Sequence, residues 1–185
     1  MRITKINPRY EHWRSFIGSV PDIFEQEGKE IYNKRNLIKV LTAPDGTAVN
    51  VKRYHVPHGP NRLVYSWGIR KPKCQRAFDY PMILKNKGIE TPEPIAIIEE
   101  RSWLGLLGYS YLITMQCDYG HTLYEVGDAK AGTYETLAKA SAHFAAQIHN
   151  GNVLHKDFTP GNVLWKQDDE GFHFSLVDIN RMHFG

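Results

Sequence analysis

The strongest constraint on this chain is a run near its C-terminal end, His155-Lys156-Asp157-Phe158-Thr159-Pro160-Gly161-Asn162. A hydrophobic segment follows it and delivers a further acid, Asp178, from the end of an expected strand. Thr-Pro-Gly makes a tight loop, and the spacing lets Asp157 and Asn162 leave that loop toward a common point. Taken singly, Asp157 and Asn162 could serve turn chemistry, and Asp178 could cap a strand. Together they meet a chemical need. Phosphoryl transfer uses one carboxylate to orient and deprotonate an acceptor hydroxyl, and an amide with a second carboxylate to hold the cation that neutralises the phosphates.

The segments around this loop read as a mixed α+β chain. Trp13, Phe16 and Ile17 give residues 10–18 a helical spacing, and Pro21 restarts a helical turn through Phe24 to Gly28. Residues 30–32, 37–41 and 48–54 read as strands, with Pro44-Asp45-Gly46 as a turn signal and 57–60 as a Pro-rich loop. A helix is expected over 73–87, with Ala77, Met82, Ile83 and Leu84 on its apolar side and Gly88 as its stop. Pro81 predicts that this helix is kinked or starts late. Strands at 95–99 and 109–115 follow. After a polar link at 116–120, a second amphipathic helix spans 133–149, with Tyr134, Leu137, Ala138, Ser141, Ala145 and Ile148 on one face. Short strands at 153–154, 163–165 and 172–177 frame the opening loop. The expected organisation is an N-terminal lobe over 1–115 with a helical extension, a hinge at 116–120, and a partial C-terminal lobe over 121–185.

Composition excludes several classes. A formal net charge of +3 is only mildly basic, and no nucleic-acid-binding module is recognisable. Cys74 and Cys117 lie far apart without a CxxC pattern, which argues against a disulfide scaffold and suits a reducing compartment. No apolar leader and no run long enough for a bilayer are visible, so a cytoplasmic protein is expected. His55 and His58 lack partners for a metal site, and no nucleophile elbow of the GxSxG type occurs.

In this order of elements the chain resembles the lipopolysaccharide kinase family of the protein-kinase-like fold, which phosphorylates Kdo or heptose in the inner core of bacterial lipopolysaccharide. The resemblance rests on Val51-Lys52-Arg53-Tyr54, Gly88-Ile89-Glu90-Thr91-Pro92-Glu93-Pro94, His155 to Asn162, and Val177-Asp178-Ile179-Asn180-Arg181. It runs from about Gly28 to the last residue. The HxDxxxxN element is shared by many kinase-like families. The Gly-Ile-x-Thr-Pro-x-Pro connector is more particular to this one.

The resemblance implies a two-lobed α+β fold: an N-lobe built on an antiparallel sheet and a mainly helical, shortened C-lobe. It implies Asp157 as catalytic base, Asn162 and Asp178 as magnesium ligands, and Lys52 on the α/β-phosphates of ATP. Asp79 is the best-placed acid to pair with Lys52, although an Asp so close to Pro81 is also a candidate cap. The phosphate-covering loop has no GxGxxG, and the turn Asn33-Lys34-Arg35-Asn36 stands in its place, offering Lys34 to the nucleotide. Gln116, Cys117 and Asp118 would give backbone hydrogen bonds to adenine. His155 is expected to pack beneath the loop and not to shuttle protons.

Charge points to the acceptor. Arg53, Arg62, Arg70, Lys71, Lys73, Arg76 and Lys85 face only Asp79 between Lys52 and Lys87. Such a segment attracts an anionic substrate or an anionic membrane surface, and Arg70, Lys71, Arg76 and Arg181 are the candidate acceptor-binding residues. The expected acceptor is a lipid-linked saccharide of the Kdo-lipid A type, met at the cytoplasmic face of the inner membrane by peripheral contact. Two alternatives stand beside it: a kinase acting on a protein or small molecule, and a nucleotide-binding module without catalysis. The second alternative follows from a C-lobe that stops soon after Asp178.

Overall fold

Trp13, Ile17, Val20 and Phe24 recur at steps of four and three, and all four are buried on one helical stripe. The computed structural model describes residues 1–34, 36–127 and 129–185. Among these, the chain forms two compact units: residues 1–79 with 93–116, and residues 80–92 with 117–185. The first boundary in the C-terminal half falls between Gln116 and Cys117. Residues 80–92, which the sequence reading assigns to the first lobe, group with the second unit.

The first unit contains β1 (Arg2–Ile6), α1 (Arg14–Ile23), β2 (Lys29–Asn33), β3 (Leu37–Thr42), β4 (Ala48–Tyr54), α2 (Pro60–Ser66), the start of α3 (Lys73–Asn86), β5 (Pro94–Arg101) and β6 (Leu107–Met115). The strands make one antiparallel sheet in the order β1-β5-β6-β4-β3-β2. The α1 stripe packs on one face with Val49, Val51 and Ile113, where Phe24 meets Tyr111 edge-on at 5.5 Å. The opposite face meets α3 through Tyr54, Cys74, Ala77, Phe78, Ile97 and Leu112.

Three features depart from the sequence reading. β1 is an edge strand exposed along nearly all its length, so it carries little apolar alternation. Pro60 does not prolong the loop but opens α2, where a proline's missing N–H costs nothing. α3 begins at Lys73 and continues through Pro81. Its buried side is Cys74, Ala77, Phe78, Pro81 and Leu84, while Met82 and Ile83 face solvent. The helix ends where expected. Gly88 has φ +69°, and Ile89 N–H reaches back to Leu84 O at 2.9 Å, the six-to-one bond of a Schellman cap.

The second unit holds β7 (His121–Thr122), α4 (Tyr124–Gly127), α5 (Glu135–Asn150), β8 (Val153–His155), β9 (Val163–Asp168), β10 (Gly171–Leu176) and β11 (Met182–Phe184). β10, β9 and β7 pair in that order, and β11 pairs with β8. Leu137, Phe144 and Ile148 of α5 bury against Leu84, Ile89, Phe174 and Leu176, with Phe144 stacked on Phe174 at 5.0 Å. This core sits beneath the loop that carries Asp157.

Candidate active site

Asp157 and Asn162 leave the segment between β8 and β9, and Asp178 stands just beyond β10, so all three belong to the second unit. The loop is closed from within. Asn162 donates its side-chain Nδ2 to the carbonyl of Asp157 at 2.9 Å, and its backbone N–H bonds Thr159 O at 2.9 Å. With the amide NH2 engaged there, Oδ1 is the atom an incoming cation would meet.

Val177 ties this loop to Asp178. Its N–H donates to Asn162 O at 3.0 Å, and its carbonyl faces His155 Nε2 at 3.4 Å. His155 Nδ1 in turn accepts the N–H of Asp157 at 3.1 Å. The ring therefore carries its proton on Nε2 and is neutral, and its burial pushes the imidazole pKa down. One buried side chain joins the strand before Asp178 to the backbone of Asp157.

Asp178 itself is left-handed, with φ 55° and ψ 41°. Aspartate tolerates that region better than most residues, and the turn swings its carboxylate off the strand direction. Asn180, which is buried, donates Nδ2 to Asp178 Oδ1 at 2.6 Å. The chain then returns as β11 to pair with β8, with Met182 opposite His155 and Lys156 N–H on Arg181 O at 2.9 Å. That return sets Arg181 Nη1 2.9 Å from Asp157 Oδ1. Sequence reasoning singled out Arg181 but missed Asn180. Its signal was a short amide two residues past a strand-end acid.

The donor set suits magnesium. Among the described residues no group of three or more His, Cys, Asp or Glu is placed to hold a metal, so a site rich in nitrogen or sulfur is not offered. One amide oxygen and one carboxylate are hard donors, and magnesium commonly takes few protein ligands while keeping waters and substrate phosphates.

The remaining candidates belong to other segments of the chain. In the first unit, register sets Lys52 opposite Leu112 on the α3 face of the sheet, and its Nζ is 5.2 Å from the centre of the Tyr54 ring. Asp79 is held by two other lysines: Lys5 of β1 bonds Oδ1 at 2.8 Å, and Lys71 bonds Oδ2. Burial works to raise the Asp79 pKa, but the two ammonium partners bring it below the ordinary value. Lys71 is thereby committed to Asp79, Arg70 lies over the Tyr65 ring, and Arg76 sits on the first turn of α3. Lys34 is exposed in the β2–β3 turn, and Arg35 lies outside the described residues.

Gln116 N–H bonds Ala48 O at 3.2 Å, and its side chain accepts from Asn50 at 3.0 Å. In the second unit, burial raises the Cys117 thiol pKa, and Asp118 is 3.9 Å from Lys166. Tyr119 bonds Glu90 at 2.9 Å, a tether between the link and the 88–94 connector that the sequence did not suggest.

An antiparallel sheet backed by α3, followed by a helix and a loop carrying Asp157, Asn162 and Asp178, defines a protein-kinase-like fold of the α+β class. Solved structures that share it include two kinases or kinase-like proteins. "WaaP in complex with acyl carrier protein" is 18% identical with a TM-score of 0.57, the match covering 99% of this chain and 73% of that one. The Rio2 kinase–ADP/Mg2+–phosphoaspartate complex from Chaetomium thermophilum is 15% identical with a TM-score of 0.61, the match covering 95% of this chain and 54% of that one. Comparison with curated protein sequences finds no match. The sequence profile of the lipopolysaccharide kinase (Kdo/WaaP) family matches residues 26–183, and the chain belongs to that family. It is therefore a phosphotransferase of the kinase type. Among the described residues, no helix is long and apolar enough to cross a membrane.

Proposed function

We propose that the protein transfers the γ-phosphoryl group of ATP, with magnesium, to a sugar hydroxyl of the lipopolysaccharide inner core, Kdo or heptose. Asp157 accepts the hydroxyl proton as the acceptor oxygen bonds to phosphorus and the bond to the leaving ADP oxygen breaks. Asn162 and Asp178 hold magnesium, which supplies charge neutralisation at the phosphates when bound. Lys52 and Lys34 meet the nucleotide phosphates, and backbone groups of Gln116, Cys117 and Asp118 hold adenine. Arg181, resting on Asp157, offers its guanidinium to the anionic acceptor as the hydroxyl takes its place on Oδ1. The acceptor is lipid-linked, of the Kdo-lipid A type, and is met at the cytoplasmic face of the inner membrane.

The observation that carries this reading is the double tie at Val177. Through Asn162 O and His155 it joins the base loop and the metal acid into one piece. A turn needing only caps for Asp157 and Asn162 has no use for a buried imidazole spanning both segments. The test is magnesium-dependent transfer from radiolabelled ATP to Kdo-lipid A by wild type, Asp157→Asn and Asp178→Asn. Label on the lipid with wild type, lost in both variants, supports the proposal. Equal behaviour of all three proteins sinks it, and label on protein or a small molecule but not the lipid moves the acceptor.

A further inference from the structure

The first unit carries an apolar surface for which phosphoryl transfer has no use. Trp67 and Ile69 follow α2, and Trp103 and Leu104 lie in the β5–β6 turn, with exposures of 68%, 72%, 92% and 61%. Hydrogen bonds bring these two pairs to one place. Arg101 Nη1 lies 3.1 Å from both Ser66 O and Gly105 O. Leu107 N–H donates to Ser66 Oγ at 2.8 Å, and Arg62 Nε donates to Leu107 O at 2.9 Å. Ser66, next to Trp67, is thus fastened to both ends of the turn that holds Trp103 and Leu104. Arg101 is anchored in turn by the buried Glu99 at 2.8 Å. The apolar side chains project from a braced platform.

The charge beside them has one sign. Arg62, Arg70, Lys71, Lys73 and Arg76 occur between Pro60 and Phe78 without an acid. The acids that meet this part of the fold are already engaged: Asp79 by Lys71 and Lys5, Glu99 by Arg101 and Gln75, and Glu100 by Arg2, which leaves Arg70 and Lys73 as the cations offered. Exposed indoles and branched aliphatics in a segment that also carries lysine and arginine match a lipid headgroup layer, where indole sits at the interface and cations meet lipid phosphates. A protein partner would have to supply a pocket for each projecting side chain. A fluid headgroup layer forms around them.

We propose that this surface docks the protein on an anionic bilayer, with Trp67, Ile69, Trp103 and Leu104 entering the headgroup layer and Arg70 and Lys73 on its phosphates. The proposal rests for its biological sense on the lipid-linked acceptor above, which it deepens by naming the docking surface. Its test does not depend on catalysis.

The purified chain, without nucleotide, is sedimented with vesicles of phosphatidylcholine alone and of phosphatidylcholine with phosphatidylglycerol. Binding is expected to rise with the anionic lipid, to fall with added salt, and to shift tryptophan emission to the blue. Trp13 and Trp165 are buried, so the shift reports on Trp67 and Trp103. Trp67→Ala with Trp103→Ala is expected to weaken partition by about tenfold or more, and Arg70→Gln or Lys73→Gln by about fivefold each. These exposed replacements leave the core intact, which circular dichroism checks. Equal binding to neutral and anionic vesicles, no binding at all, or wild-type binding by the double tryptophan variant each overturns the proposal. If vesicle binding holds while no lipid acceptor is phosphorylated, the acceptor reading falls and the docking surface stands.

Discussion

Lys52 and Asp157 are positioned by different physics. In the first unit, Lys52 faces α3 because Val49 and Val51 on the same strand face the α1 core, and neighbouring strands on both sides hold that register. Many small contacts enforce one orientation. In the second unit, Asp157, Asn162 and Asp178 are set by a few polar bonds that meet at Val177, His155 and Asn180. Each bond there has a distinct task. A framework built on register tolerates single changes outside its tight spots, whereas a polar clamp fails at the member removed.

The widest expected gap between function and stability is at Asp157. Asp157→Asn keeps the shape and the bond its backbone N–H donates to His155 Nδ1, but removes the proton acceptor. Turnover is expected to fall by roughly 10²–10⁴-fold, with the thermal midpoint unchanged, as read by labelled-phosphate transfer and calorimetry on one preparation. Comparable activity in this variant would break the proposed role.

His155→Ala should damage both properties at once. It deletes a buried ring and its two bonds, and is expected to cost about 2–3 kcal/mol. The pH dependence of unfolding gives a separate signature. Burial depresses the His155 pKa in the folded state, while the unfolded chain protonates near the ordinary value of about 6.5. Between those two values the unfolded state binds more protons, so stability rises with pH. The contribution is full above about pH 6.5 and is lost as pH falls toward the depressed value. Denaturant titrations across this window should show that slope in wild type and a shallower one in the variant.

In the register-built unit, the corresponding weak point is backbone, not side chain. Gly28 has φ +84°, and a Cβ there would lie 2.7 Å from Leu41 Cδ2 and 2.8 Å from Val40 O. Gly28→Ala is expected to cost about 2 kcal/mol, measured by urea unfolding, with turnover at wild-type level below the transition. Asn180→Ala sharpens the contrast from the other side. Losing one buried donor costs about 1 kcal/mol, but removing the bond that orients Asp178 Oδ1 should raise the magnesium concentration for half-maximal rate several-fold. A change in ATP affinity with no change in magnesium dependence would deny Asn180 that positioning role.

This contrast also explains what was legible in the sequence. The Asp157 loop could be read because its partners are local: Asn162 bonds Asp157, and His155 is two residues away. The strands of the sheet's middle could be read because their alternation is a property of the segment itself. β1 could not, since an exposed edge strand needs no apolar period, and its pairing with β5 lies in distant sequence. Pro60 and Pro81 misled in opposite ways. The first reads as loop in sequence and starts a helix; the second reads as a helix breaker and lies within a continuous helix. Asn180 was passed over because its value depends on a left-handed turn at Asp178 that no spacing rule announces.

The smallest expected effect is the one that best separates local from distant information. From sequence, Asp79 was the acid assigned to Lys52, by its place on the helix that follows. In the fold its two carboxylate oxygens are taken by Lys5, from an edge strand 74 residues away, and by Lys71. Both lysines are more than half exposed, so the pairs should be worth less than about 1 kcal/mol together with their solvent screening. Asp79→Asn is therefore expected to lower stability by no more than that, with the loss vanishing as pH falls through the depressed Asp79 pKa. Turnover and ATP affinity should stay within about threefold of wild type. An acid that orients a phosphate-binding lysine would behave otherwise, since its removal weakens ATP use by orders of magnitude while leaving unfolding nearly untouched. A large kinetic defect in Asp79→Asn would return the residue to Lys52. A small one would leave it as a surface fastening between β1 and the start of α3.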